Sequence, residues 1–328
     1  MKAPKQRPAR MLVVVALLVC ILLFGFSLCV GRYPLRLSAL IARDPMTTRV
    51  FYTLRLPRTV LAATVGFALA VAGFVYQLVF RNPLAAPDII GVSSGAGTGA
   101  AVAILFFGGG AVVTAVSAFT GGITAVLLAL VIAGVGKKKQ IATFVLSGIA
   151  VNALMQAALM ALKLTADPEK QLASIEFWTM GSLASSTLQK LPWPLLLMSC
   201  GLVGIFLLYR PLLFLTLGDD EARMMGVPVE RLRRVVLLLA TLIVAAAVSV
   251  TGLITFIGLI APHLARLLTG SSKKGSCLLA GLLGSALLLA ADCAARGLLG
   301  TEVPISILTS LLGAPFLVWL VCREERVP

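Results

Sequence analysis

Arg55 and Arg58 bracket a leucine and a proline in the step Arg55-Leu56-Pro57-Arg58. Two guanidinium forks three positions apart suit two uses. They can snorkel to a membrane surface beside a helix opened by Pro57, or they can face outward and take carboxylates from a soluble partner. A second charged stretch reads Leu217-Gly218-Asp219-Asp220-Glu221-Ala222-Arg223-Met224-Met225-Gly226-Val227-Pro228. Asp219 or Asp220 can cap a short helix, whose amino end favours acidic neighbours. Gly226 suits the carboxyl cap and Pro228 the first turn of a second helix. Two short amphipathic helices at a sharp bend form a knob that can enter a groove in a partner; an ordinary capped loop is the plainer reading. Asn152 and Gln156 stand four apart inside an apolar run, with Lys163 continuing their face. Amides so placed line a water path or bond a neighbouring helix. Gly91, Gly95 and Gly99 also recur every four residues, which lets another helix approach to backbone contact.

Other chemistry is missing. Gly134-Val135-Gly136-Lys137 has neither the spacing nor the following Ser/Thr of a phosphate loop. The one histidine, His263, has no acid–base partner in the pattern, and the six cysteines show no CxxC or Cys/His spacing. The sequence therefore carries no catalytic residue, no metal site and no cofactor site. Energy from ATP would have to come from another chain.

The elements that must position these residues are apolar. The chain is 59% hydrophobic and 12% charged, about half the charge of a soluble domain. Its net charge of +15 could suggest nucleic acid, but the 28 basic residues sit between apolar runs and are not interleaved with aromatics, which excludes that class. Apolar runs lie at 11–31, 59–80, 92–108, 111–134, 141–162, 191–209, 235–252, 277–299 and 304–322, with a shorter one at 255–268. The first could be a signal peptide, but it exceeds the usual apolar core of one and is read as a retained helix. The expectation is an all-α polytopic membrane protein of about ten transmembrane helices. Residues 1–10 form a basic cytoplasmic tail, 11–322 a single transmembrane domain containing a cytoplasmic segment at 210–234, and 323–328 a second cytoplasmic tail. Positive charges cluster at Lys137-Lys138-Lys139, Arg231/Arg233/Arg234 and Lys273-Lys274, which places both termini inside. One outside loop breaks that rule, carrying Arg32, Arg36, Arg43, Arg49, Arg55 and Arg58 against Asp44 alone.

The stretch from Arg55 to Gly99, with Arg81-Asn82-Pro83-Leu84-Ala85 at its turn, resembles the matching region of the FecCD-type permeases. These are the membrane subunits of ABC importers for iron-siderophores, haem and vitamin B12. The resemblance runs to Phe316. Gly252, Gly258, Pro262, His263 and Arg266 match G-x-I-x-F-x-G-L-x-x-P-H-x-x-R, and Glu302-Val303-Pro304 and Gly313-Ala314-Pro315-Phe316 match E-x-P-x-G and G-x-P-x-F, with Ser306 where the former often has Gly.

The resemblance implies a type II ABC importer permease in the cytoplasmic (inner) membrane of a bacterium or archaeon. Such a subunit is not itself an enzyme. It pairs as a homodimer or with a homologous permease, and works with an ATP-binding cassette subunit that holds ATP and Mg and with an extracytoplasmic substrate-binding protein. It also implies that Leu217, Gly218, Asp219, Asp220, Glu221, Ala222, Arg223, Met225 and Gly226 contact the ATPase. Arg55 and Arg58, with Arg296 of Ala291-Asp292-Cys293-Ala294-Ala295-Arg296, would dock the binding protein. Asn152 and Gln156 would line the path. The family's substrates include ferric siderophores, haem, cobalamin and metal oxyanions, ferric siderophores being the commonest. An ion-coupled secondary transporter is the competing class; it requires mid-depth charges, and only Asp292 and Lys163 come near.

Overall fold

The computed structural model describes residues 9–31, 33, 41–135, 141–184, 186–270, 274–297 and 302–324. The start of the basic tail, Arg32, Arg36, Lys137–Lys139, Lys273 and the last four residues lie outside the described residues. The described residues form an all-helical polytopic fold. Ten main helices follow one another: α1 (Ala9–Cys29), α2 (Pro45–Val79), α3 (Val92–Phe106), α4 (Ala111–Val135), α5 (Ile141–Thr165), α6 (Pro192–Leu207), α7 (Val229–Thr251), α8 (Ile257–Thr269), α9 (Lys274–Gly297) and α10 (Ile305–Glu324). Of these, α1, α2, α4, α5, α7 and α9 are long and apolar enough to cross a bilayer, whereas α3, α6, α8 and the apolar stretch Ile305–Leu320 of α10 are shorter.

α2 occupies the centre. Val65, Ala68, Ala70, Val71, Ala72, Phe74, Val75, Tyr76 and Val79 expose no surface, because α7, α8 and α9 all pack on it. The approach is close enough to need glycine. A Cβ on Gly66 would run into the carbonyl of Gly284 in α9, and one on Gly73 into Gly258 in α8. Lipid supplies no hydrophobic drive for helix association, so close packing of small residues must supply the attraction. The polar contacts at this core are made internally: Tyr76 Oη and Thr241 Oγ1 of α7 are 3.0 Å apart, and Ser285 donates to the Ala63 carbonyl at 2.7 Å.

Four boundaries differ from the sequence expectation. The second helix begins at Pro45 rather than 59, so Arg49, Arg55 and Arg58 ride on it instead of a loop. A π turn at Phe51–Arg55 precedes Pro57; a wider turn suits a residue that has no N–H to offer the preceding carbonyls. α7 begins at Val229, which puts Arg231, Arg233 and Arg234 on the helix. Gly91 is not on the face of α3: it caps that helix in the left-handed region at φ 82°. The short helix Asp219–Met224 is followed by α7 itself, so the expected second short helix is the first turn of a 23-residue one.

Between α7 and α8 the backbone breaks at Gly252 and Phe256, both at positive φ. α8 has 13 residues, about 20 Å of helix, and so covers only part of a bilayer about 30 Å thick. The irregular residues around the break are stitched to their neighbours. Ser182 N donates to Thr251 O at 2.7 Å, Ile305 N to Gly181 O at 3.1 Å, and Ser306 Oγ to Leu253 O at 2.5 Å. Such bonds let non-helical backbone survive away from water. Ser306 makes a contact here that glycine at this position could not.

Candidate functional site

Three arginines meet at the carboxyl end of α1. A helix leaves its last four carbonyls without intrahelical partners, and here each finds one. Phe26 O accepts from Val30 N at 3.1 Å and Ser27 O from Arg296 Nη2 at 3.2 Å. Leu28 O and Cys29 O accept from Arg55 Nη1 at 2.9 and 2.5 Å. Arg55 also donates to Tyr33 O, and Arg296 to Val30 O and the Ser27 hydroxyl. Two cations at the negative end of the helix dipole add favourable electrostatics.

Arg58 completes the cluster differently. Its Nε lies 2.8 Å from Asp292 Oδ1, and its Nη1 lies 3.0 Å from Glu302 Oε1. Asp292 Oδ2 lies 2.9 Å from Arg296 Nη2, so one carboxylate with no exposed side-chain surface joins two guanidiniums. The structure thus brings Arg55, Arg58 and Arg296 together, but turns them inward. They are 4%, 8% and 8% exposed, and the forks that a docking role would present to a partner are occupied within the chain.

The stretch from Leu217 to Gly226 forms the second site. Gly218, not Asp219 or Asp220, is the amino cap of the short helix, and Glu221 reaches back to accept from its N–H at 3.0 Å. Asp219 is thereby released for pairing. Its carboxylate takes Arg233 Nη2 at 2.9 Å and Arg81 Nη2 at 2.5 Å. The carboxyl end closes as the glycine at Gly226 anticipates. Gly226, at φ 78°, donates to Arg223 O at 2.9 Å, and Val227 donates to Ala222 O at 3.1 Å, the paired bonds of a Schellman cap. Met224 and Met225 project from this turn, 80% and 63% exposed.

Arg233 is the largest fully buried side chain. Phe144 of α5 lies 5.8 Å from its guanidinium carbon, within the range of a cation–π contact. Burial alone pushes the Asp219 carboxyl up, but its bonds to Arg233 and the charges of Arg233 and Arg81 outweigh that and hold it below the usual carboxylate range.

The remaining expected residues are dispersed. Gly95 and Gly99 of α3 lie against Gly121 and Ser117 of α4, with no room for a side chain, while the Cα of Gly91 faces Asn152 of α5. Asn152 is half-buried and Gln156 exposed on α5. Lys163 pairs with Glu176 of the short helix Ala173–Thr179 at 2.8 Å. His263 sits edge-on to Phe316, ring centres 5.9 Å apart.

The FecCD transport family model matches residues 17–323. The chain belongs to that family. It is 39% identical to the cobalamin import system permease protein BtuC of Halobacterium salinarum over 86% of this chain and 76% of that protein. It is 36% identical to the ferric enterobactin transport system permease protein FepG of Escherichia coli over 94% and 97% of the two chains. A solved structure described as a metal-chelate type ABC transporter in an inward-facing conformation superposes with a TM-score of 0.89 at 35% identity, covering 96% of this chain and 99% of that one. This FecCD chain is therefore a polytopic ABC transport permease.

Sequence reasoning missed Arg81, Arg233 and Glu302 as members of these sites. Arg233 read as a positive-inside charge and Arg81 as part of a polar turn, because nothing local shows that both converge on Asp219. The signal available was Asp219 itself, an acidic residue in excess of what one short helix needs.

Proposed function

We propose that this chain is the membrane subunit of an importer that carries an iron-siderophore or related metal chelate across the cytoplasmic membrane of a bacterium or archaeon. ATP, with Mg, would be bound and hydrolysed by a separate ATPase subunit. Residues 210–234 would face the cytosol with both tails, and α1 would end outside.

The observation that carries this reading is the short helix Asp219–Met224, closed at both ends, pinned by Arg81 and Arg233 and crowned by two exposed methionines. Flexible thioethers on a rigid knob suit a groove in a partner, and the pinning ties that knob to α2 and α7. In this reading Leu217, Gly218, Asp219, Asp220, Glu221, Ala222, Arg223, Met225 and Gly226 are the ATPase contact, to which Met224 is added.

At the opposite end, the Arg55, Arg58, Arg296 cluster is the docking site for an extracytoplasmic binding protein. Arg55 and Arg296 would build the platform by closing α1, and Arg58 would meet the partner. Two copies, or this chain with a homologous permease, would pair around a path lined in part by Asn152 and Gln156, with Gly95 and Gly99 packing its wall.

The test is uptake of radiolabelled iron chelates into vesicles holding this chain, its ATPase and its binding protein. ATP-dependent uptake of a ferric siderophore confirms the reading. Uptake of cobalamin instead would favour the second reading suggested by the Halobacterium relative. Uptake without the ATPase, driven by an ion gradient, would overturn both.

A further inference from the structure

The outer cluster holds its two acids unequally. Asp292 has no exposed side-chain surface and pairs with Arg58 and Arg296, whereas the Glu302 side chain is 41% exposed and, among the described residues, pairs with the Nη1 of Arg58 alone. Arg55 and Arg296 spend donors on the carbonyls of Ser27, Leu28 and Cys29 in α1 and of Val30 just past it. Removing Asp292 would strand two buried cations, which is strongly unfavourable. The Glu302 pair is open to water, and pairs of that kind contribute little and exchange readily.

We propose that Glu302 is a resident occupant of Arg58, and that a carboxylate on the docking protein displaces it. This rests on the docking reading given above and adds what the partner must replace. The exchange conserves charge: one carboxylate leaves the guanidinium as another arrives, and Arg58 is never left bare beside its neighbours.

Displacement also has somewhere to go. Glu302 stands three residues before α10 begins. The first turn of α10 is bonded through Ile305 to Gly181 and through Ser306 to Leu253. Further along, Gly313 of α10 lies directly against the ring of Phe256, a residue held at φ 67°. Bulky residues seldom adopt that conformation, and where they do the strain marks a place able to switch. Release of Glu302 would therefore loosen the amino-terminal half of α10, which is tied to the α7–α8 break.

The experiment measures the affinity of the permease–ATPase complex in lipid nanodiscs for the binding protein of the same transport system, at low salt. Glu302→Gln and the shortened Glu302→Asp should both tighten association, by about tenfold for a competing charge-assisted bond, and Arg58→Gln should weaken it. If Arg58→Gln binds like the wild type, the docking reading itself fails. If Arg58→Gln weakens binding but neither Glu302 variant tightens it, docking stands and the displacement is wrong. Failure of both Glu302 variants to reach the membrane would make Glu302 a folding residue and equally overturn the proposal.

Discussion

Arg81 Nη2 and Asp219 Oδ1 lie 2.5 Å apart across 138 positions of sequence, joining the turn after α2 to the short helix before α7. Arg81 also donates from Nε to Leu215 O at 2.8 Å, ahead of that helix. On the other side Asp219 holds Arg233, whose Nε and Nη1 make no hydrogen bond among the described residues. Moving the short helix alone would strip a buried guanidinium of its carboxylate. The three residues are thus expected to move as one body, carrying the 81–91 turn that leads into α3.

Asp219→Asn should consequently separate ATP hydrolysis from transport. The expected outcome is normal insertion and ATPase assembly, with uptake per ATP reduced by about tenfold or more, as befits the loss of a charge-assisted pair of roughly 1.5–3 kcal/mol. Asp220→Asn removes only an exposed pair with Arg223 and should leave the ratio within about twofold. Parallel uptake and hydrolysis measurements on both variants decide this; equal behaviour would remove Asp219 from the coupling path.

The acid response of the same site follows from its sign. The folded-state Asp219 carboxyl is lowered, since its arginine partners outweigh the effect of burial. A lowered carboxyl contributes stability that is present above its unfolded value of about 3.9 and is lost as pH falls through the folded value. The difference in melting temperature between the wild type and Asp219→Asn should therefore stay constant from about pH 8 to 5 and shrink only below about pH 4. A difference that vanished between pH 7 and 6 would point to another titrating group.

How far the sequence discloses this molecule varies with the range of the interaction. Helix existence depends on runs of apolar residues, and every run from 11–31 to 304–322 coincides with a main helix. Gly226 could be read as a carboxyl cap because its partners lie within five residues. The helix starts at Pro45 and Val229 were hidden because charged residues on a helix that leaves the membrane look like loop residues. The inward turn of Arg55 and Arg296 was hidden for a different reason. Their acceptors are the carbonyls of α1, and backbone acceptors leave no trace in side-chain spacing.

Close packing offers a test independent of charge. A side chain on Gly95 would meet the Gly121 carbonyl and the Ala125 methyl, so Gly95→Leu should push α3 off α4 and cost at least the roughly 1–3 kcal/mol of an overpacked core. Gly134 in α4 has open space around it, and Gly134→Ala should be neutral or stabilising by up to about 1 kcal/mol. Thermal stability of the two purified variants in detergent distinguishes a packing face from a mere excess of glycine. Comparable melting temperatures would deny α3 that role.

The arginines at the end of α1 should separate by what each one holds. Arg296→Gln leaves the fully buried Asp292 with only Arg58, and breaking a buried pair costs about 3–5 kcal/mol. Its primary effect should be on stability, read as a lower melting temperature or lower yield. Arg55→Gln strips Leu28 O and Cys29 O of a charged donor and should loosen the same helix end, at roughly 1.5–3 kcal/mol for a lost bond to a charged group. Arg58→Gln keeps α1 closed but also takes a partner from buried Asp292, so it should lower the melting temperature as Arg296→Gln does and, beyond that loss, weaken association with the binding protein. Charge pairing across a wetted interface is screened, so wild-type affinity should fall steeply with salt while Arg58→Gln shows a shallower slope. If all three variants lose affinity in proportion to lost stability and share one salt slope, the cluster is a clamp for α1 and not a docking site.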